Sequence, residues 1–140
     1  MIASRGRRIA FDYGQVRIGV AICDPDGILA TPLPHVSATN PKVLKEIAAI
    51  LDEYEPIKIF VGYPKLLSGE SGKAVELVDL FIASLKDLTS VPIIKVDERL
   101  STVSATRKLQ EAGKNSRQSR ALIDSMAAVT ILESGLANEN

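Results

Sequence analysis

Tryptophan is absent from these 140 residues, and the aromatic complement is three tyrosines and three phenylalanines. So thin a supply argues against a surface on which the bases of a single nucleic-acid strand stack in succession. One cysteine, Cys23, and one histidine, His35, exclude an internal disulfide and a four-ligand zinc site. Cys23 lies in an apolar run and reads as a small buried hydrophobe of a reducing, cytosolic protein. No apolar run approaches the roughly 20 residues of a membrane-spanning helix, and the first residues lack the core of a signal peptide. No membrane partner is therefore expected. Internal repeats, low-complexity tracts and long linkers are missing as well. Residues 1–140 are expected to form one domain, long enough to bury roughly two thirds of its unfolded surface.

Net charge is missing too, with 17 basic residues against 17 acidic. That balance at first argues against a nucleic-acid partner, but its distribution is uneven. Residues 1–17 carry Arg5, Arg7, Arg8 and Arg17 against the single acid Asp12. Residues 99–120 carry Arg99, Arg107, Lys108, Lys114, Arg117 and Arg120 against Glu111 alone. A neutral protein acquires a basic face if two such segments meet; otherwise they are solvated surface.

What is present is a clear order of elements. Arg8–Asp12 and Arg17–Cys23 are apolar strands joined by Tyr13-Gly14-Gln15, a hairpin signal. Asp24-Pro25-Asp26-Gly27 is turn chemistry, and residues 28–36 form a third strand whose Pro32 and Pro34 suit a sheet edge. Asn40-Pro41 predicts a helix start with proline at the first helical position. Leu44, Ile47, Ala48 and Leu51 supply the apolar stripe of that helix. Residues 57–61 are a short run of the kind buried on both faces. A glycine-rich loop over 62–72 leads to a helix over 73–88, a fifth strand over 91–96 and helices over 102–112 and 117–136. This pattern predicts an α/β fold: a five-strand mixed sheet, three antiparallel strands followed by strand–helix alternation, with helices on both faces.

Three carboxylates stand out on this frame. Asp12 ends the first strand, and period two sets it opposite Ile9 and Phe11. Glu98 lies just past the fifth strand. Asp124 shares a helix face with Ala128 and Ile131. Strands are depleted in aspartate, and a half-buried carboxylate without compensation is costly. Gathered together, the three would raise one another's pKa unless a divalent cation neutralised them. An oxygen-only ligand set suits Mg²⁺ or Mn²⁺. Blander readings exist for each one. Asp12 could accept bonds from the turn amides of Gly14 and Gln15, Asp124 could pair with Arg120, and Asp97-Glu98-Arg99 could be a surface turn.

The combination of Phe11-Asp12-Tyr13-Gly14, Arg17-Ile18-Gly19-Val20-Ala21, Val61-Gly62-Tyr63-Pro64 with Ser68-Gly69, Val96-Asp97-Glu98-Arg99-Leu100-Ser101-Thr102 and Ile123-Asp124-Ser125-Met126-Ala127-Ala128 resembles, in order and spacing, the YqgF family. Its members are RNase H-like nucleases, also called RuvX or Holliday-junction-resolvase-like proteins. The resemblance spans essentially the whole chain. It departs in one loop, where Leu66-Leu67-Ser68-Gly69 stands in place of the Asn and Asp-Gly of many members. What it implies is an RNase H-like fold and a bacterial cytosolic nuclease maturing the 5′ end of 16S ribosomal RNA, with four-way DNA junction cleavage proposed for some members. Carried over, the metal-binding acids fall on Asp12, Glu98 and Asp124.

On that reading two metal ions roughly 4 Å apart would activate water and stabilise the leaving oxygen, with Asp12 bridging both. Arg17, Arg99, Arg107, Lys114, Arg117 and Arg120 are the candidates for phosphate contacts, which position a substrate without reading its bases; Arg17 and Arg99 could instead be structural ion pairs. The expected partner is a structured nucleic acid, with pre-rRNA ahead of a DNA junction, bound by a monomer or a homodimer. Three rivals remain. A non-enzymatic ribosome-assembly factor on this fold would bind without metal. A junction resolvase would favour a two-fold dimer. An Asp-x-Gly phosphate hairpin of the sugar-kinase and actin kind would need a second domain.

Overall fold

In the computed structural model, residues 5–64, 72–97 and 117–139 are described, with 117–124 described by their backbone course alone. The strands are β1 (Arg8–Asp12), β2 (Arg17–Cys23), β3 (Ala30–Ser37), β4 (Lys58–Tyr63) and β5 (Ile93–Asp97). The helices are α1 (Val43–Tyr54), α2 (Gly72–Leu88) and α3 (Arg117–Ala137). The expected helix over 102–112 lies outside the described residues.

The strands form one mixed sheet in the order β3-β2-β1-β4-β5. β1 pairs antiparallel with β2, which pairs antiparallel with β3, while β4 runs parallel to both β1 and β5. The proline-bearing β3 is an edge strand, as its Pro32 and Pro34 require, since neither can donate to a ladder. Gly14 closes the β1–β2 hairpin for a steric reason. A Cβ there would lie 2.6 Å from the carbonyl oxygen of Arg17.

Alternation of side chains divides the core into two layers. Ile9, Phe11, Ile18, Val20, Ile59 and Val61 pack on one face with Ile47 and Leu51 of α1 and Val78, Phe81, Ile82 and Leu85 of α2. Ala10, Ala21, Cys23, Phe60 and Val96 pack on the other with Ala128, Val129, Ile131 and Leu132 of α3. Helices thus cover both faces, as expected. Small residues on the second face let α3 lie close. At Gly135 a Cβ would meet the Phe60 ring at 2.7 Å.

Two local expectations shift. Pro41 is not the first helical residue, because α1 begins at Val43. Asn40 instead builds a turn ahead of the helix, its Oδ1 accepting from Lys42 N at 2.9 Å and its carbonyl from Val43 N at 3.0 Å. Leu44, assigned to the apolar stripe, is 39% exposed. The core of α1 is carried by Ile47 and Leu51.

Candidate active site

β1, β4 and β5 are mutually parallel, so their carboxyl ends reach one edge of the sheet. Phe11 lies beside Val61, which sets Asp12 at the level of Gly62, and Gly62 pairs with Val96. Asp12, Gly62 and Val96 therefore form one row at that edge. The face follows from the alternation. Ala10 packs beneath α3, so Asp12, two residues on, belongs to the α3 side, opposite Ile9 and Phe11. Asp12 is half-buried there. β5 ends at Asp97, beside Tyr63. It delivers the chain to this edge with Glu98 next in sequence; Glu98 itself lies outside the described residues.

The placement of α3 completes the geometry. The Ser125 hydroxyl accepts a hydrogen bond from Val20 N at 3.1 Å and donates one to the Leu33 carbonyl at 2.5 Å. At the other end of the helix, Glu139 receives Arg8 Nη2 at 2.9 Å and Lys58 Nζ at 2.8 Å. Arg8 and Lys58 open β1 and β4, so α3 runs against the direction of those strands. Its Ser125 end lies toward the carboxyl edge, because Val20 stands opposite Phe11 and Gly19 opposite Asp12. Asp124 immediately precedes Ser125 and sits one turn before the fully buried Ala128. The backbone thus brings the positions of Asp12 and Asp124 to the same face and the same edge.

The sequence matches the family described as "RuvX: Holliday junction resolvase" over residues 6–138. The chain belongs to the RuvX family. A relative from Streptomyces coelicolor, named "Putative pre-16S rRNA nuclease", is 45% identical over 137 residues, covering 96% of this chain and 82% of its own. A Rhodococcus jostii protein of the same name is 46% identical, over 94% of this chain and 78% of its own. Among solved structures, Thermus thermophilus RuvC in complex with a Holliday junction substrate matches with TM-score 0.60 at 13% identity, covering 95% of each chain. The fowlpox virus resolvase with Holliday junction DNA gives 0.63 at 12% identity, over 95% of this chain and 98% of its own. At such identities these structures establish the fold, which is RNase H-like.

In this RuvX-family chain the predicted basic residues separate. Alternation back from Cys23 and Ala21 carries Arg17 to the α3 face, and Arg17 opens β2 across the hairpin from Asp12. Arg117 and Arg120 occupy the first turn of α3, which extends beyond Ser125 toward the carboxyl edge. Arg99, Arg107 and Lys114 lie outside the described residues. Arg5 and Arg8 do not join a basic face at the Asp12 edge. Arg5 pairs with Asp26 at 2.9 Å, while Arg8 is 3% exposed and bonded to Glu139 and to the Gly6 carbonyl. Among the described basic residues of the first segment, Arg17 is the one set at the Asp12 edge.

The titratable groups described away from this edge serve the fold. Burial pushes the Cys23 thiol up, while a hydrogen bond from Arg8 N opposes that rise. Burial also acts to raise Glu139, but the hydrogen bonds from Lys58 and Arg8 outweigh it and hold the carboxyl below its ordinary value. Asp24 is lowered by the amides of Leu29 and Ile28, which its Oδ1 accepts across the turn. Nearer the edge, Tyr63 donates to Asp79 at 3.3 Å and lies under Lys95 Nζ, 4.4 Å from its ring centre. Sequence reasoning assigned no role to Ser125. The available signal was a serine sharing a helical stripe with Ala128, Val129 and Leu132, all buried.

Proposed function

We propose that this chain is a metal-dependent nuclease that hydrolyses phosphodiester bonds in 5′-end maturation of pre-16S rRNA, with residues 1–140 acting as one catalytic domain in the cytoplasm. The observation that supports the reading is the position of Asp12 on the α3 face at the carboxyl edge, with the α3 backbone running so that position 124 reaches the same face and edge. Membership of the RuvX family and the names of its relatives support it. No helix of the described residues is long and apolar enough to cross a membrane.

The donor set fits a hard divalent cation. Asp12, Glu98 and Asp124 offer carboxylate oxygens only, which suits Mg²⁺ or Mn²⁺, and three such acids fit a pair of ions. Bound metal would supply charge neutralisation and a more acidic water. The chain's own part is positional. Asp12, at the end of a buried strand, would hold the metal together with Glu98 and Asp124. Arg17, Arg117 and Arg120, joined by Arg99, Arg107 and Lys114, would hold the phosphate backbone of the substrate in register with the acids.

The test compares wild type with Asp12→Asn on a pre-16S RNA fragment and a four-way DNA junction, each with Mg²⁺ or Mn²⁺. Metal-dependent RNA cleavage that vanishes in the variant is the expected outcome. Cleavage of the junction alone would transfer the reading to a resolvase, which the likeness to junction-bound folds favours as second choice; a dimer in solution would then be expected. Tight binding with no cleavage of either would point to a non-catalytic assembly factor.

A further inference from the structure

Val20 and Leu33 face each other across β2 and β3, next to a register shift between Ile18 and Val20. Here the hydroxyl of Ser125 stands between them, accepting from Val20 N at 3.1 Å and donating to the Leu33 carbonyl at 2.5 Å. A helix side chain thus bonds both strands of the sheet at once, at a site with 0% exposure.

We propose that Ser125 is a positioning residue for catalysis: its bridge to Val20 and Leu33 sets the height of α3 along the sheet and thereby the place of Asp124 beside Asp12. This rests on the nuclease reading above. Three observations support it. The bridge is one residue from Asp124, and a helix allows little slack over a rise of about 1.5 Å. It is also one residue from the strand partner of Asp12, since Gly19 faces Asp12 and Val20 is next. Among the described side chains of this helix segment, Ala128, Val129 and Leu132 pack through apolar contacts. Such contacts hold the helix against the sheet but are non-directional, so near Asp124 the two directional bonds of Ser125 fix its axial position, while the Glu139 bonds to Arg8 and Lys58 act just past the far end. The bonds fall next to the register shift between β2 and β3, where pairing is locally irregular.

The test uses the full chain with Ser125→Ala, Ser125→Cys and, as a stability control at the far end of α3, Glu139→Gln. Mn²⁺ alone is titrated and the free ion read by electron paramagnetic resonance; cleavage is then measured at saturating Mn²⁺, with thermal melts alongside. Ser125→Ala is expected to weaken Mn²⁺ binding and lower kcat, each by about 10- to 100-fold, with KM for nucleic acid unchanged. Glu139→Gln should melt earlier yet keep both values. Should the alanine variant fail to fold, Ser125→Cys carries the test, since it fills the space with a weaker donor; a loss of Mn²⁺ affinity at unchanged KM is expected of it too. Wild-type Mn²⁺ affinity and kcat in folded Ser125→Ala or Ser125→Cys would overturn the inference and leave the nuclease reading standing. Equal losses in Glu139→Gln would overturn it as well, because general stability would then be the cause. A wild type that neither binds Mn²⁺ nor cleaves would remove the nuclease reading and this inference with it.

Discussion

Asp12 is tolerated at the end of a strand whose other four residues are buried. Strand interiors are depleted in aspartate, and here it stands at the carboxyl edge on the α3 face. Asp12→Asn keeps the shape and removes the charge. The expected outcome is loss of cleavage to background with the fold retained; paired activity and thermal-melt measurements check both halves. Cys23 gives the opposite case. It is fully buried, its Sγ accepts the amide of Arg8, and burial raises its pKa. A thiol that stays protonated is a poor nucleophile. Native protein should therefore resist thiol-modifying reagents at neutral pH and react fully once unfolded in urea, which mass spectrometry would show.

At the scale of elements, sequence patterning revealed most of the sheet. Arg8–Asp12 and Arg17–Cys23 fall where alternation and the Tyr13-Gly14-Gln15 turn predict them. Pro32 and Pro34 marked β3 as an edge because a missing donor is a local property. The face on which Asp12 lies followed from period two, and its membership of the α3 side needed only the topology. What stayed hidden depends on contacts between distant segments. The Ser125 bond to Leu33, beside the register shift between β2 and β3, joins positions 92 residues apart, and no local pattern reports it. Likewise, Arg8 reads as surface charge until Glu139, 131 residues on, is seen to receive it. Gly135 also shows its purpose only against Phe60. Substituting alanine would press a Cβ into the aromatic ring at 2.7 Å. Overpacking of this kind costs about 1–3 kcal/mol, and Gly135→Ala is expected to lower the urea midpoint accordingly with the slope unchanged.

At the scale of the molecule, the two ends of the sheet are specialised differently. The carboxyl edge holds Asp12 and the approach of α3, while the opposite end is closed by a buried Arg8–Glu139 pair joined by the half-buried Lys58. Arg8 and Glu139 have side chains 4% and 9% exposed, and Lys58 shares the same carboxylate. Two cations against one anion leave the triad dependent on Glu139 being charged. Removing one member of a buried pair leaves an uncompensated charge, at a cost of about 3–5 kcal/mol, and Glu139→Ala is expected to fall in that range by urea unfolding. The pH dependence has a definite sign. The folded pKa of Glu139 is depressed, since the hydrogen bonds from Lys58 and Arg8 outweigh burial. A depressed carboxylate binds its proton more readily in the unfolded chain, so its stabilising contribution is complete above the ordinary glutamate value. That contribution is lost as pH falls from there through the lower folded value. Wild type should thus lose stability across that acidic window faster than Glu139→Gln, whose amide does not titrate. The two unfolding free energies, far apart at neutral pH, should converge as the solution is acidified. Parallel curves in urea titrations over the same range would show that the triad does not hold the end of α3 through the Glu139 charge.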